Sequence, residues 1–407
     1  MMKKVVLSIL AATSLFAYDD VPTDRLGKVI NSANNLVMNN HYVKVGVSDD
    51  GTFGTSSSYS ANFSKYPGLE YDSTGKGNFT ADILTPGVPI EGFSIKIEQN
   101  GYEYYKKNSN YNYTDIVDTN ITAINYFADN NISSVYHHAF LKDLNGSNLL
   151  EIKHIYTLNE HSSVLKIAVY LKNVSNAPLS NVRYSRFLDP DPDAASGSWS
   201  TVNKLGMDVN TSSGHFTIPS NSIAYAMNKH QPEMPVGLFT LDNSFEHNVT
   251  FVSQGSSNLY DPDHTLLGGM GYGCSDRDCN MAIAFRIDKI YPGETKKFDL
   301  GYLFGNTLDN AVQQVVNSSK IDKDFVDSLP TGWHLVGTSK AIDDLSIFDN
   351  ATLIWVYTDK KWFWYTADSN YKNLLEKNGI PSIKSGIKPL SGIWIYKEDI
   401  SIALPVY

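Results

Sequence analysis

"LLEIKHIYTL" (Leu149–Leu158) and, four residues later, "SVLKIAVYLKNVS" (Ser163–Ser175) decide the fold. In both, apolar and polar side chains alternate, which is the period of a β-strand with one buried face. The pattern spreads in both directions. "HYVKVGVSDDGTFGT" (His41–Thr55) alternates and turns at Asp50-Gly51, and "FSIKIEQNGYEYY" (Phe93–Tyr105) turns at Asn100-Gly101, both strong hairpin signals. "SIAYAMNK" (Ser222–Lys229), "HNVTFVSQ" (His247–Gln254) and "MAIAFRIDKIYPGETKKFDLGYLFG" (Met281–Gly305) continue it. So many strands at short spacing, parted by Gly, Asn, Pro and Ser, predict a mainly β protein built on a large antiparallel β-sandwich. "LDNAVQQVVNSSK" (Leu308–Lys320) is the first clear helix candidate, and with "KDFVDSLP" (Lys323–Pro330) it leads to a domain boundary at Pro330-Thr331-Gly332.

The N-terminus predicts export. Met1-Met2-Lys3-Lys4 is a short basic stretch, "VVLSILAATSLFA" (Val5–Ala17) is apolar but too short to span a bilayer, and Ala17 supplies a small residue for cleavage. Residues 1–17 therefore read as a signal peptide, 18–330 as the sandwich domain with a helical linker, and 331–407 as a small β-rich α+β domain. The formal net charge is -10, and removal of Lys3 and Lys4 makes it -12. Residues 331–407 carry eight lysines against eight acids, so all the net acidity lies in the sandwich domain. Such a surface repels nucleic acid and anionic membrane. Calcium and neutral glycans are easier partners.

Five of the six tryptophans lie between Trp333 and Trp394. The small domain reads as strands "GWHLVGTS", "TLIWVYT" and "KWFWYTA", a helix "YKNLLEKNG", then strands "SGIWIYK" and "ISIALPVY". On the hairpin "YTDKKWFWYT" (Tyr357–Thr366), Trp362 and Trp364 share one face and Phe363 and Tyr365 the other. A small domain needs a dense core, and aromatic burial supplies one. One helix covers one face only. At least one of Trp355, Trp362 and Trp364 is therefore expected on an exposed platform beside Tyr357 or Tyr365, with Trp333 and Trp394 in the core. Sugar rings stack their C–H faces on such platforms. The plainer expectation is that the first domain covers the second face and buries every ring.

"GWHLVGTS", "FDNATLIWVYTDKKWFWYT" and "NGIPSIKSGIKPLSGIWIY" resemble a C-terminal module of secreted proteins from Campylobacterota, with its Gly-Trp-x-Leu-Val-Gly-Thr, Ile-Trp-x-Tyr and Gly-x-Trp-Ile pattern. The resemblance covers nearly all of Thr331–Lys397 and implies an accessory module with no activity attached. "YTLNEHSSVLKIAVYLKNVSNAPLSNVRYSRFLDPD" (Tyr156–Asp191) resembles the central strands of the galactose-mutarotase-like supersandwich. That likeness implies a fold. Where the family carries its catalytic histidine, this sequence offers Arg183 and Arg186, which argues against sugar epimerisation.

The remaining residue patterns point to sites. "FLDPDPDAASG" places Asp189, Asp191 and Asp193 at alternate positions, and "YDPDHT" repeats the theme with Asp261 and Asp263. Hard cations take several oxygens from a pre-shaped loop, so calcium is the one cofactor these residues allow. The alternative is a set of turns in which the aspartates accept backbone amides and Arg183 or Arg186 pairs with one carboxylate. His137 and His138 point to opposite faces of one strand and cannot share a metal. Glu70, Glu91 and Glu151 offer carboxylates, but no spacing rule selects a pair, and no nucleophile, zinc or phosphate-loop motif occurs. Cys274 and Cys279, the only cysteines, read as a disulfide closing a small loop.

Of eleven Asn-x-Ser/Thr sequons, five carry an acid two residues before the asparagine: Asn120, Asn131, Asn145, Asn210 and Asn248. Chance would give roughly one. The extended pattern resembles the acceptor of the periplasmic N-glycosylation system of Campylobacter relatives. Together these features predict an exported, noncatalytic binding protein for a glycan or envelope component. A carbohydrate-active enzyme of mutarotase-like or polysaccharide-lyase-like type is the alternative, which a His, Tyr, Arg and Glu cluster in one cleft would favour. A purely structural envelope protein is the third reading.

Overall fold

The computed structural model describes residues 29–397 apart from 33–34, 55–67, 80–81, 85–89, 126–131, 160–161, 193–200, 212–213, 230–234, 306–310, 312–320, 329–331, 338–341, 359–360, 388–391 and positions 78, 112, 322 and 385. The signal-peptide stretch, the closing "ISIALPVY" and nearly all of the helix expected at 308–320 fall outside the described residues.

Two large sheets face each other. The eight-stranded one runs Thr201–Leu205, Ile223–Asn228, Val236–Phe239, Thr295–Phe304, Val164–Asn173, Asn148–Asn159, Ile132–Lys142, Val117–Asn125. The seven-stranded one runs Gly269–Met270, Glu246–Ser253, Cys279–Ile290, Leu179–Leu188, Glu91–Gln99, Tyr102–Ser109, Tyr113–Thr114. All their pairings are antiparallel except the short one between Glu246–Ser253 and Gly269–Met270. The mainly β, sandwich-type fold expected from alternation is the one observed. Asn148–Asn159 shows why: Leu150, Ile152, Tyr156 and Leu158 are fully buried on its inner face, whereas Glu151, Lys153 and Thr157 face outward half-buried. Inner-face residues of both sheets merge into one continuous apolar core.

A third sheet, Val29–Ser32, Asn35–Asn39, Val43–Ser48 and Leu69–Tyr71, adds Met38, Val43, Val45, Val47 and Leu69 to that core. The Asp50-Gly51 turn is present: Gly51 N–H donates to Ser48 O, Ser48 N–H donates to Thr52 O, and Phe53 bridges back to Val47. Its tip enters the sandwich. Gly51 has φ +81°, and a Cβ there would lie 2.5 Å from His137 Cε1, so only glycine fits.

The "YDPDHT" stretch, read from sequence as a loop, starts a short helix, Pro262–Leu267. Asp261 caps it by accepting from Asp263 N–H, and Pro262 stands at the first position, where its missing N–H costs nothing. Nearer the C-terminus, helix Lys323–Ser328 packs Val326 against the last sheet, and Lys397 Nζ donates to the carbonyls of Val326 (3.2 Å) and Asp327 (2.8 Å). That sheet orders Gly332–Gly337, Gly392–Lys397, Leu353–Thr358, Lys361–Tyr365, all antiparallel. Its aliphatic face (Ile354, Val356, Ile393, Ile395) builds a core with Phe348. Its other face is aromatic, and helix Ser369–Lys377, capped by Asp368, crosses part of it.

Candidate functional site

Register places the rings. Trp355 lies opposite Trp364 on one side and Trp394 on the other, and Tyr357 lies opposite Trp362, so all five side chains share one face. Leu375 of helix Ser369–Lys377 covers one end together with Leu353, and Trp364 is 2% exposed there, its Nε1–H donating to Ile380 O at 2.8 Å. Beyond the helix the face is open. Tyr357 is 50% exposed, Trp362 45% and Trp394 38%, with Trp355 half-buried between them. The Tyr357 and Trp362 rings lie 5.0 Å apart, and Trp355 meets Trp362 edge-on at 6.4 Å.

Of Trp355, Trp362 and Trp364, the exposed ring is Trp362. Trp364 is a core residue because the helix lies over it, and Tyr365 sits on the opposite face, its hydroxyl on Asp349 Oδ1 at 2.5 Å. Trp394, expected in the core, is 38% exposed: on its strand it is Tyr396 that packs against the Leu375 cluster, and Trp394 stands outside it. The side chain of Trp333 lies outside the described residues. The expectation that the first domain buries every ring fails, since these exposures hold in the whole chain.

The second assembly lies inside the sandwich and joins both inner faces. Arg186 and Tyr184 come from Leu179–Leu188, Glu91 and Phe93 from Glu91–Gln99, His137 from Ile132–Lys142, His154 and Tyr156 from Asn148–Asn159, and Tyr302 from Thr295–Phe304. Arg186 Nε donates to Glu91 Oε1 at 2.5 Å, and the Tyr302 hydroxyl donates to the same oxygen at 2.6 Å. The other carboxylate oxygen accepts Phe53 N–H at 2.5 Å. Arg186 Nη1 and the Tyr156 hydroxyl both donate to Gly51 O, at 3.1 and 2.6 Å. The guanidinium lies against Phe53, 4.5 Å from the ring centre. His137 and His154 face each other Nδ1 to Nδ1 at 2.9 Å, and His154 Nε2 pairs with the Tyr184 hydroxyl at 3.0 Å.

Every one of these side chains is fully buried. Burial, with Arg186 and His138 adding to it, holds the His137 imidazole down to about 3, and burial drives His154 well below the usual histidine range. Both shifts favour the neutral rings. Burial raises the proton affinity of Glu91, opposed by Arg186, Tyr302 and Phe53 N–H. Three donors on one carboxyl fit the ionised form. Arg186 Nη2 and His137 Nε2 have no hydrogen-bond partner among the described residues. The His137–His154–Tyr184 chain and the Arg186–Glu91–Tyr302 chain are groups that proton transfer uses, but the Gly51–Phe53 turn fills the space between them.

The aspartates separate into two groups. Asp263 accepts both bonds of Arg183 Nη1 at 2.9 Å and one from Lys96 at 2.7 Å, and Asp261 takes Lys96 at 3.3 Å. This is the ion-paired alternative, and these two are not brought to a cation with the others. Asp189 and Asp191 instead converge with Asp278, which the sequence reading missed. Asp193 lies outside the described residues. Cys274 and Cys279 form the expected disulfide, Cα to Cα 5.7 Å.

The three glutamates belong to three different sheets and pair separately: Glu70 with Lys44, Glu91 with Arg186, Glu151 with His138 and Lys153. No acid pair forms among them. His138 faces away from His137, as alternation requires. Of the sequons, Asn120 and Asn145 are exposed. Asn248 is half-buried with its Nδ2 donating to Leu266 O at 3.1 Å, a bond that a glycan on that nitrogen would displace. Asn210 lies in the strand Met207–Thr211, and Asn131 lies outside the described residues.

No protein-family profile matches this chain, and no curated protein sequence matches it. Among solved structures it is similar to a galactose mutarotase related enzyme from Lactobacillus acidophilus, at 11% identity and TM-score 0.35, over 68% of this chain and 99% of that one. A galactose mutarotase-like protein from Clostridium acetobutylicum matches at 9% identity and TM-score 0.35, over 67% and 95%. The heparan sulfate lyase of Pedobacter heparinus matches at 7% identity and TM-score 0.36, over 84% of this chain and 42% of that one. With TM-scores below 0.5, these likenesses carry nothing about function.

Proposed function

We propose that this is an exported carbohydrate-binding protein whose sugar platform is the open aromatic strip of Tyr357, Trp362 and Trp394. The observation that carries the reading is that three large rings stay exposed on one sheet face while the adjoining Trp364 is buried. Exposed indoles are unfavourable in water, and a contiguous aromatic patch marks a binding surface. A sugar ring offers a flat C–H face to such a strip. The balanced charge of residues 331–407 opposes neither neutral nor acidic glycans. Export rests on the leader-like residues 1–17, and Asn120 and Asn145 are the acceptors best placed to carry glycan.

Full-length protein screened on a glycan array, then titrated by tryptophan fluorescence with the best hit, tests this. Trp362→Ala should weaken binding about tenfold, the loss expected for one large exposed ring of the platform. Tyr272→Ala, equally aromatic and exposed elsewhere, should leave it unchanged. The reading is wrong if no glycan binds, or if binding survives Trp362→Ala and Tyr357→Ala together.

A carbohydrate-active enzyme is the second reading, favoured by the His137, His154, Tyr184, Arg186 and Glu91 cluster. Against it stand the complete burial of the cluster and the mutual neutralisation of its one ion pair. Turnover of a sugar or uronate polymer that disappears in Tyr184→Phe would establish this reading over the first.

A further inference from the structure

The two buried aspartates of "FLDPDPD" lack what buried carboxylates need. Asp189 is 1% exposed and Asp191 4%. Neither oxygen of Asp189, nor Oδ1 of Asp191, nor Oδ1 of Asp278 has a hydrogen-bond partner among the described residues. Gln254 lies close enough to Asp189 to favour its charged form slightly, yet no donor reaches bonding geometry on it. The backbone is pinned: Asp189 N–H donates to Ile90 O at 2.7 Å and Asp191 N–H to Ile83 O at 2.9 Å. The carboxylates therefore cannot easily swing out to water.

One oxygen from each of Asp189, Asp191 and Asp278 lies within 4.8 Å of the others. Three acids buried this closely repel one another. A buried charge without donors costs several kcal/mol unless a cation or a proton compensates it.

A second, independent observation points the same way. Asn280 is fully buried, and both its amide oxygen and its amide nitrogen lack partners among the described residues. Its strand pairs Met281 with Leu188, so the next step of the register sets Asn280 across from Asp189. Asn280 stands at the start of the strand Cys279–Ile290 with Asp278 just before it, and Asp189 and Asp191 follow the end of the neighbouring strand Leu179–Leu188, so the same ends of two paired strands bring the four residues together. The disulfide fixes the chain immediately beside Asp278, through Cys279.

We propose that Asp189, Asp191, Asp278 and Asn280 form a calcium site. The donors are oxygens only, which suits a hard cation and not zinc or copper. Oxygens up to 4.8 Å apart fit across a calcium shell, whose bonds run about 2.3–2.6 Å. Magnesium, with bonds of about 2.0–2.1 Å, demands a tighter octahedron and keeps its waters, for which a set of ligands with three of its four members buried is poor. The amide oxygen of Asn280 is a neutral ligand of the kind calcium shells include. Its nitrogen is then free to donate to a neighbouring carboxylate.

The test is calorimetric titration of chelator-treated full-length protein with calcium chloride, and separately with magnesium chloride, with no sugar present. Its outcome is therefore independent of glycan binding. One calcium per chain should bind and raise the melting temperature, with magnesium at least about tenfold weaker. Asp191→Asn and Asp278→Asn should each raise the calcium Kd about tenfold or more, and reduction of Cys274–Cys279 should raise it too. Asp278 is only half-buried, so its variant serves if Asp191→Asn fails to fold. No calcium uptake at concentrations of about 10 mM would overturn the site, as would binding unchanged in the folded variants. Magnesium binding as tightly as calcium would overturn the assignment to calcium.

Discussion

Replacing Glu91 by leucine would remove the only anion paired with Arg186 among the described residues. In the intact protein Glu91 accepts from Arg186 Nε, the Tyr302 hydroxyl and Phe53 N–H, all at 2.5–2.6 Å and fully buried. After the change, Arg186 keeps only neutral partners: Gly51 O at 3.1 Å, the Tyr302 hydroxyl at 3.2 Å and the Tyr156 hydroxyl at 3.4 Å. Leaving one member of a buried ion pair uncompensated costs about 3–5 kcal/mol. The stranded Tyr302 and Phe53 donors add to that, though not additively. A loss of about 5 kcal/mol is a large part of a typical domain's stability.

Arg186→Met should cost a similar amount for the mirrored reason. The double variant Glu91→Leu/Arg186→Met should lose much less than the two singles summed, about 2 kcal/mol, because apolar groups then fill the space. Urea unfolding followed by far-ultraviolet circular dichroism reads the sandwich, which holds most of the strands. Tryptophan fluorescence reads mainly residues 333–394, which hold five of the six tryptophans. At a slope of about 3 kcal/mol/M, the dichroism midpoint of each single variant should fall by roughly 1.5 M. The reasoning is refuted if either single costs under about 1 kcal/mol, or if the double equals the sum of the singles.

Two further outcomes follow from single residues. Gly51→Ala should destabilise by about 3 kcal/mol, combining left-handed backbone strain with overlap on His137, whereas Gly101→Ala, at the same φ of +81° but with nothing within 4 Å, should cost only about 1 kcal/mol; equal costs in thermal melts would remove the steric argument. Burial raises Glu70 to about 7 from its ordinary 4.5 despite Lys44, so the folded state holds that proton more tightly than the unfolded one. Its contribution is fully present below pH about 4.5 and is lost as pH rises through about 7, at most about 3 kcal/mol. Glu70→Gln should flatten the stability-pH curve across that window, and an unchanged slope would contradict it.

What could be read from the sequence was whatever repeats locally. Alternation at Leu149–Leu158 set the strand and its faces, and the same rule put His137 and His138 on opposite faces without saying which of them is inside. The hairpin glycine at position 51 was legible as a turn, but nothing local said that its tip enters the core. The buried cluster was illegible because its members lie far apart in sequence: Glu91 and Tyr302 are separated by 211 positions. The cation-site candidate was half legible for the same reason. Asp189 and Asp191 stood out by their proline spacing, while Asp278 and Asn280 carry no local mark and join only through strand pairing. Trp394 is exposed against expectation because alternation assigns a face and does not say which part of that face a helix covers. Asp261-Pro262 did carry a readable signal, a capping acid before a first-turn proline, and it was taken for a loop.

The Glu91–Tyr302 bond also sets a condition on when the sandwich can form. Tyr302 stands near the end of the last long strand of the eight-stranded sheet, and the turn it helps to hold comes from residues 51–53. A growing chain shorter than this has made Glu91 and Arg186 but not the strand that closes over them. Contacts this remote in sequence must pay the full entropy of loop closure before they return anything, so they form slowly. The interval between synthesis of the first strands and closure of the core is therefore long. Throughout it, the unpaired strand edges are open to a chaperone or to another copy of the same chain.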